Sequence, residues 1–398
     1  WREHQAPADQ PGGFDQLVEK GGGVRVLSHL ADRYWQDRAA MARAVKGARS
    51  LACRKGREIR TIGTHYRWIS NGGIQRVLCH LLSLWTAAGY EVVLFTDEPP
   101  SPDDYPIPER VRRVVLPAWN GAGGTAYGPR AEVWKQVLEE QGVDTMVFHT
   151  WASETLFWDV LAVKLQGIPC VIHTHVSFLS LLDLSAPFFQ ELPAVVALGD
   201  ALVAVSRVDR HYWSHFAARA VYLPTPLMMD LGRTPCSRLD TLDVLWVGRL
   251  AKGKRPVDAV RIMARVIRSV PSARLRMLGA GLDEEWSVRI REEIARLGIQ
   301  DQVELCGYHP DVGRFYEAAS VYLSTSRYEG FPMGLVESKS HGVPCVMYEL
   351  PYIEMCRGGE GIAAVKQRDI HGAAEAIVTL LTDDGYRTRM GEAARRSL

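Results

Sequence analysis

Short, uninterrupted runs of Val, Ile and Leu recur along the chain from residue 59 onward, and longer segments with helical spacing separate them. Runs without polar alternation are typical of strands buried on both faces of a parallel sheet. The first series of predicted strands reads EIRTIGTHY, YEVVLFTDE, DTMVFHT, PCVIHTHV, ALVAVS and AVYLPTPL. Between the first two lies GGIQRVLCHLLSLWTAAG, an amphipathic helix by its spacing, which Gly89 ends. This alternation predicts an α/β architecture.

The pattern breaks around residues 225 to 243, in PTPLMMDLGRTPCSRLDTLD, which carries three prolines and little periodicity. Such a segment is typical of an interdomain linker. The alternation then restarts with the predicted strands DVLWVGRL, ARLRMLGAG, VELCGY, SVYLSTS and PCVMYEL. Helices are predicted between them over residues 256–269, 283–297, 311–318 and 334–341. The second half is therefore another α/β domain of similar size.

The predicted fold class is α/β, with two Rossmann-like doubly wound domains facing a cleft and an N-terminal helical extension. The predicted boundaries are 1–58 for the tail and extension, 59–228 for the first α/β domain, and 241–398 for the second. Ligands of open α/β sheets bind beyond the carboxyl ends of the strands, so site residues should follow strands directly. The linker is the expected hinge for closure of the cleft.

The segment before the first strand is basic. Residues 1–23 are rich in Gly, Pro and polar groups and predict a tail, whereas residues 24–60 read as helical. Nine Lys or Arg lie between residues 32 and 60, together with a weak apolar stripe. Two interpretations stay open, namely a solvated connector helix and a helix that lies on an anionic membrane surface.

Composition narrows the function classes. The chain has 398 residues, is 47% hydrophobic and 23% charged, and carries a formal net charge of +1, so nucleic-acid binding is not favoured. Seven widely spaced Cys without a C-x-x-C pair suit a reduced, cytoplasmic protein, peripheral at the inner membrane face if the basic segment binds there. The apolar runs are too short to span a bilayer. Because the chain begins with Trp1 rather than Met, we expect a fragment of a longer protein.

Two strand ends carry features suited to phosphate. Arg249 directly follows the strand DVLWVGRL and Lys254 comes five residues later, before a helix, so both cations can neutralise a diphosphate. Gly72 and Gly73 lie between the first strand and the first helix, where a backbone without Cβ atoms admits a ligand closely. The alternatives are a solvated basic pair and a simple turn. Neither G-x-G-x-x-G nor a Walker loop is present.

The stretch SRYEGFPMGLVESKSHGVP places two carboxylates eight residues apart after a predicted strand. Glu329 falls in the loop and Glu337 in the first turns of the helix that follows. Carboxylates are good acceptors for vicinal hydroxyls, such as those of a ribose or a hexose. Glu337 has a second interpretation as a helix-dipole carboxylate.

These segments resemble the retaining GT-B glycosyltransferases of family four. The resemblance rests on VGRLAKGKRP, on NGGIQRVLCHLL and on GYHPDVGRFYEAASVYLSTSRYEGFPMGLVESKSHGVPCV, in the family's order over residues 59–398. It implies that Glu337 binds the ribose of the donor and that Glu329 holds its sugar hydroxyls. It also implies that Arg249 and Lys254 grip the diphosphate with the amides of Gly72 and Gly73.

The resemblance extends to further positions. Phe331, Pro332, Met333, Gly334 and Leu335 match the segment that lies against sugar and phosphates, and His309 lies in the loop matching the one that holds the base. His175 matches a position that faces the reacting sugar. A core histidine and a metal pair with His173 are its rival interpretations, although two His without a carboxylate make a poor metal site. The family also crosses a final helix back onto its N-terminal domain, and we expect this chain, which ends with MGEAARRSL, to end before that helix.

The activity implied is transfer of a sugar from a nucleotide-diphosphate sugar to a glycan or lipid-linked acceptor, with retention. The resemblance makes residues 59–228 the acceptor-binding domain and residues 241–398 the nucleotide-sugar-binding domain. We expect no cofactor and no metal, because Arg249 and Lys254 would neutralise the leaving diphosphate and no Asp-x-Asp lies at a suitable site. A bacterial cell-envelope glycan is the acceptor class the family suggests. The alternatives on this fold are a nucleotide-sugar epimerase, a sugar phosphorylase and an inactive nucleotide-sugar binding module.

The N-terminal half contributes aromatic residues for which two interpretations are open, stacking on a sugar or lipid and burial in the core. They are Trp119, Tyr127, Trp151, Phe157 and Trp158.

Overall fold

The computed structural model divides the chain into two compact units, Trp1–Leu227 and Met228–Leu398. Each unit is an α/β layer structure built on one parallel sheet, which confirms the predicted fold class. The structure describes residues 27–28, 31–32, 38–48, 58–70, 72–120, 124–150, 153–175, 177–182, 191–226, 240–281, 284–309 and 311–398. Most of the predicted linker, and Trp151, lie outside the described residues.

The N-terminal unit contains a seven-stranded parallel sheet in the order β3-β2-β1-β4-β5-β6-β7. Its strands are β1 Thr61–His65, β2 Glu91–Thr96, β3 Arg112–Val115, β4 Thr145–His149, β5 Cys170–His173, β6 Ala201–Ala204 and β7 Ala220–Tyr222. Its helices are α1 Arg38–Ala48, α2 Gly73–Ala87, α3 Gly128–Glu140, α4 Leu156–Lys164, α5 Leu192–Leu198 and α6 Arg207–Trp213. The strand order reverses between β1 and β4, which makes their carboxyl ends the ligand-binding crevice expected of a doubly wound sheet.

The basic extension contributes α1 to this unit. Met41, Ala44, Val45 and Ala48 form its apolar stripe, and all four are buried in the core that underlies the seven-stranded sheet. A helix that lies in a membrane interface needs that stripe for lipid. In the described part of residues 24–60, attachment to an anionic membrane would therefore depend on the exposed basic residues, and this expectation stays a prediction.

The C-terminal unit contains a six-stranded parallel sheet in the order β10-β9-β8-β11-β12-β13. Its strands are β8 Asp243–Val247, β9 Arg274–Leu278, β10 Val303–Gly307, β11 Val321–Ser324, β12 Cys345–Tyr348 and β13 Ile362–Val365. Its helices are α7 Pro256–Ser269, α8 Glu285–Leu297, α9 Gly313–Ala318, α10 Met333–Ser340, α11 Ile370–Thr382 and α12 Asp384–Arg396. The order reverses between β8 and β11. The crevice of this unit therefore lies where Arg249, Lys254 and Glu329 follow their strands.

Two glycines allow neighbouring strand ends of this unit to approach each other. A Cβ on Gly279, which follows β9, would lie 2.0 Å from the carbonyl oxygen of Gly248, and its φ of +130° is open to glycine alone. The loop that carries Arg249 therefore packs directly on the backbone after β9.

Among the described residues, no helix is both long and apolar enough to cross a membrane.

Candidate functional site

The structure brings together two of the predicted site residues at the crevice of the C-terminal unit. The Nζ of Lys254 lies 2.5 Å from Oε1 of Glu329, and the two side chains are 31% and 12% exposed. The Ser326 hydroxyl donates a second hydrogen bond, of 2.6 Å, to the same carboxylate oxygen. A lysine and a carboxylate that follow adjacent strands are thus an ion pair on the rim of the site.

The backbone around Lys254 is fixed by a fully buried hydroxyl. Trp246 donates from Nε1 to Oγ1 of Thr325, at 3.0 Å, and this hydroxyl donates to the carbonyl oxygens of Lys254 and Arg255, at 2.8 and 3.0 Å. Arg255 adopts a left-handed conformation with φ 48°, which turns the chain into α7. These contacts join the ends of β8 and β11 and fix the backbone that carries the Lys254 ammonium group.

Glu329 is anchored at its backbone as well as at its carboxylate. The hydroxyl of Tyr352 accepts from the Glu329 N–H at 2.8 Å and donates to the Glu329 carbonyl at 3.1 Å. Anchored groups of this kind hold a ligand without first having to be ordered, which favours binding.

Glu337 lies in the middle of α10 and is buried. Its Oε2 accepts a hydrogen bond of 3.0 Å from the hydroxyl of Tyr316, which also lies 3.2 Å from the carbonyl oxygen of Gly334. The Tyr316 ring in turn stacks on His341, with ring centroids 5.4 Å apart. Tyr316 was not predicted as a site residue, because nothing in the spacing of the sequence links positions 316 and 337.

The segment predicted to lie against sugar and phosphates forms the loop before α10 and its first turn. Pro332 precedes the helix, which has no side-chain hydrogen bond at its first residue. Pro332 and Leu335 are buried, whereas Phe331, Met333 and Gly334 are partly exposed. A Cβ on Gly334 would lie 2.3 Å from the Tyr322 hydroxyl, so this turn requires glycine.

Two more predicted site residues of this unit, Arg249 and His309, lie at or near the surface. Arg249 is exposed directly after β8. His309 is partly exposed in the loop after β10, where its Nε2 lies 2.7 Å from Nη2 of Arg314. The roles of both residues stay predictions.

The crevice of the N-terminal unit contains three histidines. His149 ends β4, His173 ends β5 directly opposite it, and His175 comes two residues later. The Nδ1 of His149 lies 2.7 Å from Nε2 of His175, and the rings of His173 and His175 are 4.1 Å apart. Sequence reasoning considered the two residues of the HTH segment and missed His149, which comes from a neighbouring strand.

Ligand atoms of these three side chains lie within 4.8 Å of one another, so the cluster could in principle hold a metal ion. Neutral imidazoles are the form that metals bind, and burial lowers the pKa of His173 to about 4. The nitrogen spacing argues against an ion, however. Two ligands of a tetrahedral ion with bonds of 2.0–2.1 Å are roughly 3.3 Å apart, whereas His149 and His175 are at hydrogen-bond distance.

These histidines predict a pH dependence of stability. Burial lowers the pKa of His173 from 6.5 to about 4, and the pKa values of His149 and His175 are also lowered, by burial and then by His173. The unfolded chain therefore binds more protons between pH 6.5 and 4, so stability rises with pH across this window. We expect the free energy of unfolding to fall on acidification, by up to about 3 kcal/mol from His173 alone.

Urea unfolding measured from pH 7.5 to 4.5 checks this dependence. A His173→Gln variant removes one of the titrating rings and should show a shallower loss over the same window. A wild-type midpoint that does not change between pH 6.5 and 4.5 would contradict the lowered pKa values of the three histidines.

Gly72 and Gly73 lie at the start of α2, in the same unit. Gly72 is the residue before the helix, in an extended conformation, and no side chain caps the first turn. A Cβ on Gly72 would lie 2.1 Å from the side-chain oxygen of Gln75. Their predicted contact with a diphosphate stays a prediction.

A buried ionic network in the N-terminal unit joins α3, α4 and the residue that follows β2. Asp159, on α4, has no exposed surface and accepts hydrogen bonds from Arg130 at both carboxylate oxygens, from the Tyr127 hydroxyl and from Trp134 Nε1, at 2.8–2.9 Å. Arg130 also donates to Asp97, at 2.6 Å. The described aromatic residues proposed to stack on a ligand are buried in this core, which favours the alternative interpretation. They are Trp119, Tyr127, Phe157 and Trp158.

Two family models match consecutive parts of the chain. A model described as Glycosyl transferases group 1 matches residues 237–397, and a model described as Glycosyltransferase Family 4 matches residues 71–226. The division between them falls where the chain divides into its two units.

Curated relatives and solved structures agree with these matches. The poly(glycerol-phosphate) alpha-glucosyltransferase of Bacillus subtilis is 30% identical over 150 residues, which are 37% of this chain and 22% of that protein. The D-inositol 3-phosphate glycosyltransferase of Thermobifida fusca is 28% identical over 286 residues, which are 63% of this chain and 64% of that protein. The matches therefore span less than two thirds of either relative. A structure of Anabaena HepE in complex with UDP and glucose shares the fold, with a TM-score of 0.69, 18% identity, and coverage of 84% of this chain and 94% of that one.

Proposed function

Because the chain belongs to the group 1 glycosyltransferases with the GT-B fold, we propose that it transfers a sugar from a nucleotide-diphosphate sugar to a glycan or lipid-linked acceptor, with retention at the anomeric carbon. The observation that carries this proposal is the Lys254–Glu329 pair at the crevice of the C-terminal unit. A cation for a diphosphate and a carboxylate for sugar hydroxyls lie side by side there. A nucleotide sugar carries both groups next to each other.

The proposed reaction breaks the bond between the anomeric carbon and the diphosphate oxygen. Negative charge grows on the leaving diphosphate as this bond lengthens, so fixed cations stabilise the transition state more than the ground state. Lys254 and Arg249 supply those cations, which is why we propose that no metal is needed. The sugar becomes oxocarbenium-like, and the acceptor oxygen bonds to the anomeric carbon from the face that the diphosphate leaves, while the proton of the acceptor hydroxyl passes to the departing diphosphate oxygen.

Glu329 and Glu337 have different proposed tasks. Glu329 accepts hydrogen bonds from hydroxyls of the donor sugar, after Lys254 has turned to the diphosphate. Glu337 accepts from the ribose hydroxyls while Tyr316 fixes its carboxylate. The complex of HepE with UDP and glucose makes UDP-glucose the first donor to test.

We expect Glu337→Gln to weaken binding of UDP by about tenfold, because a hydrogen bond to a charged acceptor contributes roughly 1.5–3 kcal/mol. Tyr316→Phe removes the hydroxyl that orients this carboxylate and should weaken binding less. Isothermal titration with UDP measures both effects, and Glu329→Gln is the matched control, since loss of a carboxylate that serves the sugar should not weaken binding of bare UDP, and the Lys254 ammonium group that it releases favours the diphosphate. Equal losses in Glu329→Gln and Glu337→Gln would contradict the division of tasks.

Thermal shift against a panel of nucleotide sugars tests the proposed donor class, because a ligand that binds the folded state raises the melting temperature by mass action. Product analysis then separates the alternatives. A transferase releases nucleoside diphosphate and forms a new glycosidic bond only with an acceptor, whereas an epimerase converts the sugar without one. A phosphorylase requires phosphate, and an inactive module binds without turnover.

The acceptor is proposed to bind to the N-terminal unit, with His175 near the reacting sugar. For a lipid-linked acceptor, the exposed basic residues of α1 would hold the protein at an anionic membrane face.

A further inference from the structure

A directed chain of hydrogen bonds ends at His175 in the crevice of the N-terminal unit. It begins at the carbonyl oxygen of Val147 on β4, continues through the hydroxyl of Thr64 on β1, and reaches His175 through the ring of His149. Thr64 and His149 are both buried, at 0% and 2% exposure. The three contacts are 3.1, 3.1 and 2.7 Å long.

The carbonyl group of Val147 fixes the direction of all three hydrogen bonds in this series. A carbonyl oxygen can only accept, so the single hydroxyl proton of Thr64 points at Val147. Toward His149 the hydroxyl oxygen must therefore accept, which places a proton on Nε2 of His149. Burial lowers the pKa of His149 well below its usual value, so this ring is neutral and its Nδ1 is bare. The proton of the 2.7 Å contact then belongs to Nε2 of His175.

We infer that Thr64 and His149 are positioning residues that hold His175 with Nε2 protonated and Nδ1 as a hydrogen-bond acceptor. This inference rests on the proposed function, in which His175 faces a hydroxyl of the reacting sugars. An unprotonated Nδ1 of His175 can accept a hydrogen bond from a sugar hydroxyl. It would repel a hydroxyl group whose oxygen lone pairs point toward it. The ring of His173 lies against that of His175, with centroids 4.1 Å apart and planes tilted by 37°, and this contact restrains the plane of the His175 ring.

The tautomer can be measured on the ligand-free protein. Nitrogen-15 NMR of histidine-labelled protein should show His175 protonated at Nε2 and unprotonated at Nδ1. Thr64→Val removes the acceptor for His149, so the His149 proton should move to Nδ1 and the His175 proton to Nδ1 as well. Thr64→Ser keeps the hydroxyl and should restore the wild-type spectrum.

Thr150→Val is the matched control for the loss of a buried hydroxyl. Thr150 follows His149 directly and is 1% exposed, and its hydroxyl has no hydrogen-bond partner among the described residues. This variant should leave the His175 resonances unchanged. A wild-type His175 protonated at Nδ1, or a spectrum unaffected by Thr64→Val, would overturn the inference. A shift of the histidine ring resonances on addition of one equivalent of Zn²⁺ would also overturn the inference, because it would indicate a metal site.

The rate of UDP-glucose turnover tests whether the series of hydrogen bonds that ends at His175 contributes to the reaction. We expect Thr64→Val to lower kcat by about 10–100-fold with KM for UDP-glucose within about threefold, because a misplaced group costs rate more than binding. Thr64→Ser and Thr150→Val should retain wild-type kcat within about threefold. Wild-type kcat in Thr64→Val would overturn the positioning role. If the wild type itself transfers no sugar, the proposed function fails, and the tautomer result still decides the hydrogen-bond chain.

Discussion

Lys254→Ala is expected to lower kcat for sugar transfer by about 10²–10³-fold, the loss measured when one electrostatic stabiliser of a transition state is removed. The ammonium group lies beside Glu329 at the crevice of the C-terminal unit, on a loop whose backbone Thr325 fixes. Steady-state rates with a nucleotide sugar identified by thermal shift provide the measurement.

Lys252→Ala is the matched control, since Lys252 begins the same helical turn, carries the same charge and is exposed. It should retain kcat within about twofold, because exposed charges are screened by solvent. Melting temperatures of both variants exclude unfolding as the cause. If Lys254→Ala transfers sugar at the wild-type rate, Lys254 does not serve the diphosphate.

Asp159→Ala is expected to destabilise the N-terminal unit by about 3–5 kcal/mol, the cost of leaving one charge of a buried pair without its partner. Asp159 has no exposed surface, and its loss leaves Arg130 with Asp97 as its remaining acidic partner in the described network. The Tyr127 hydroxyl and Trp134 Nε1 lose the same acceptor. Urea unfolding followed by tryptophan fluorescence measures the change.

Two further variants test whether an unpaired buried charge causes the loss of stability in Asp159→Ala. Glu132→Gln changes an exposed carboxylate on α3 and should alter stability by less than about 0.5 kcal/mol. The double variant Asp159→Leu with Arg130→Met removes both charges of this pair, while Asp97 keeps His65 as a partner at 3.1 Å, and it should recover part of the stability lost in Asp159→Ala, since apolar groups of similar volume often replace buried pairs without loss. A double variant as unstable as the single one would contradict this explanation.

The parts of the fold that were predicted correctly are those with local signals. Helix α7 spans Pro256–Ser269 as predicted, because a proline at its first position and a regular apolar stripe mark both its start and its face. Strands β3 and β13 were missed. Both are four-residue strands at the edge of a sheet, and the arginines of Arg112–Val115 resemble a solvated loop.

The candidate site was predictable to the extent that strand ends could be located. Arg249, Lys254 and Glu329 follow strands that proved to be neighbours, which is why the crevice could be anticipated. The contacts of Tyr316 and Thr325 could not, because they join residues far apart in sequence. Asp159 did leave a signal that was overlooked, since it is the single acid in the otherwise apolar segment LFWDVLAV.

The ion pair at the rim of the C-terminal crevice has a consequence for selectivity. With Glu329 beside it, the positive charge of Lys254 is already compensated, so a free sulfate or phosphate ion gains little by approaching it. A molecule that offers an anion to the lysine and hydroxyl donors to the carboxylate can separate the two partners and satisfy both at once. We therefore expect the ligand-free site to bind free sulfate or phosphate weakly. Compounds in which a phosphate and a polyol are joined should bind more tightly, because they replace both partners of the ion pair.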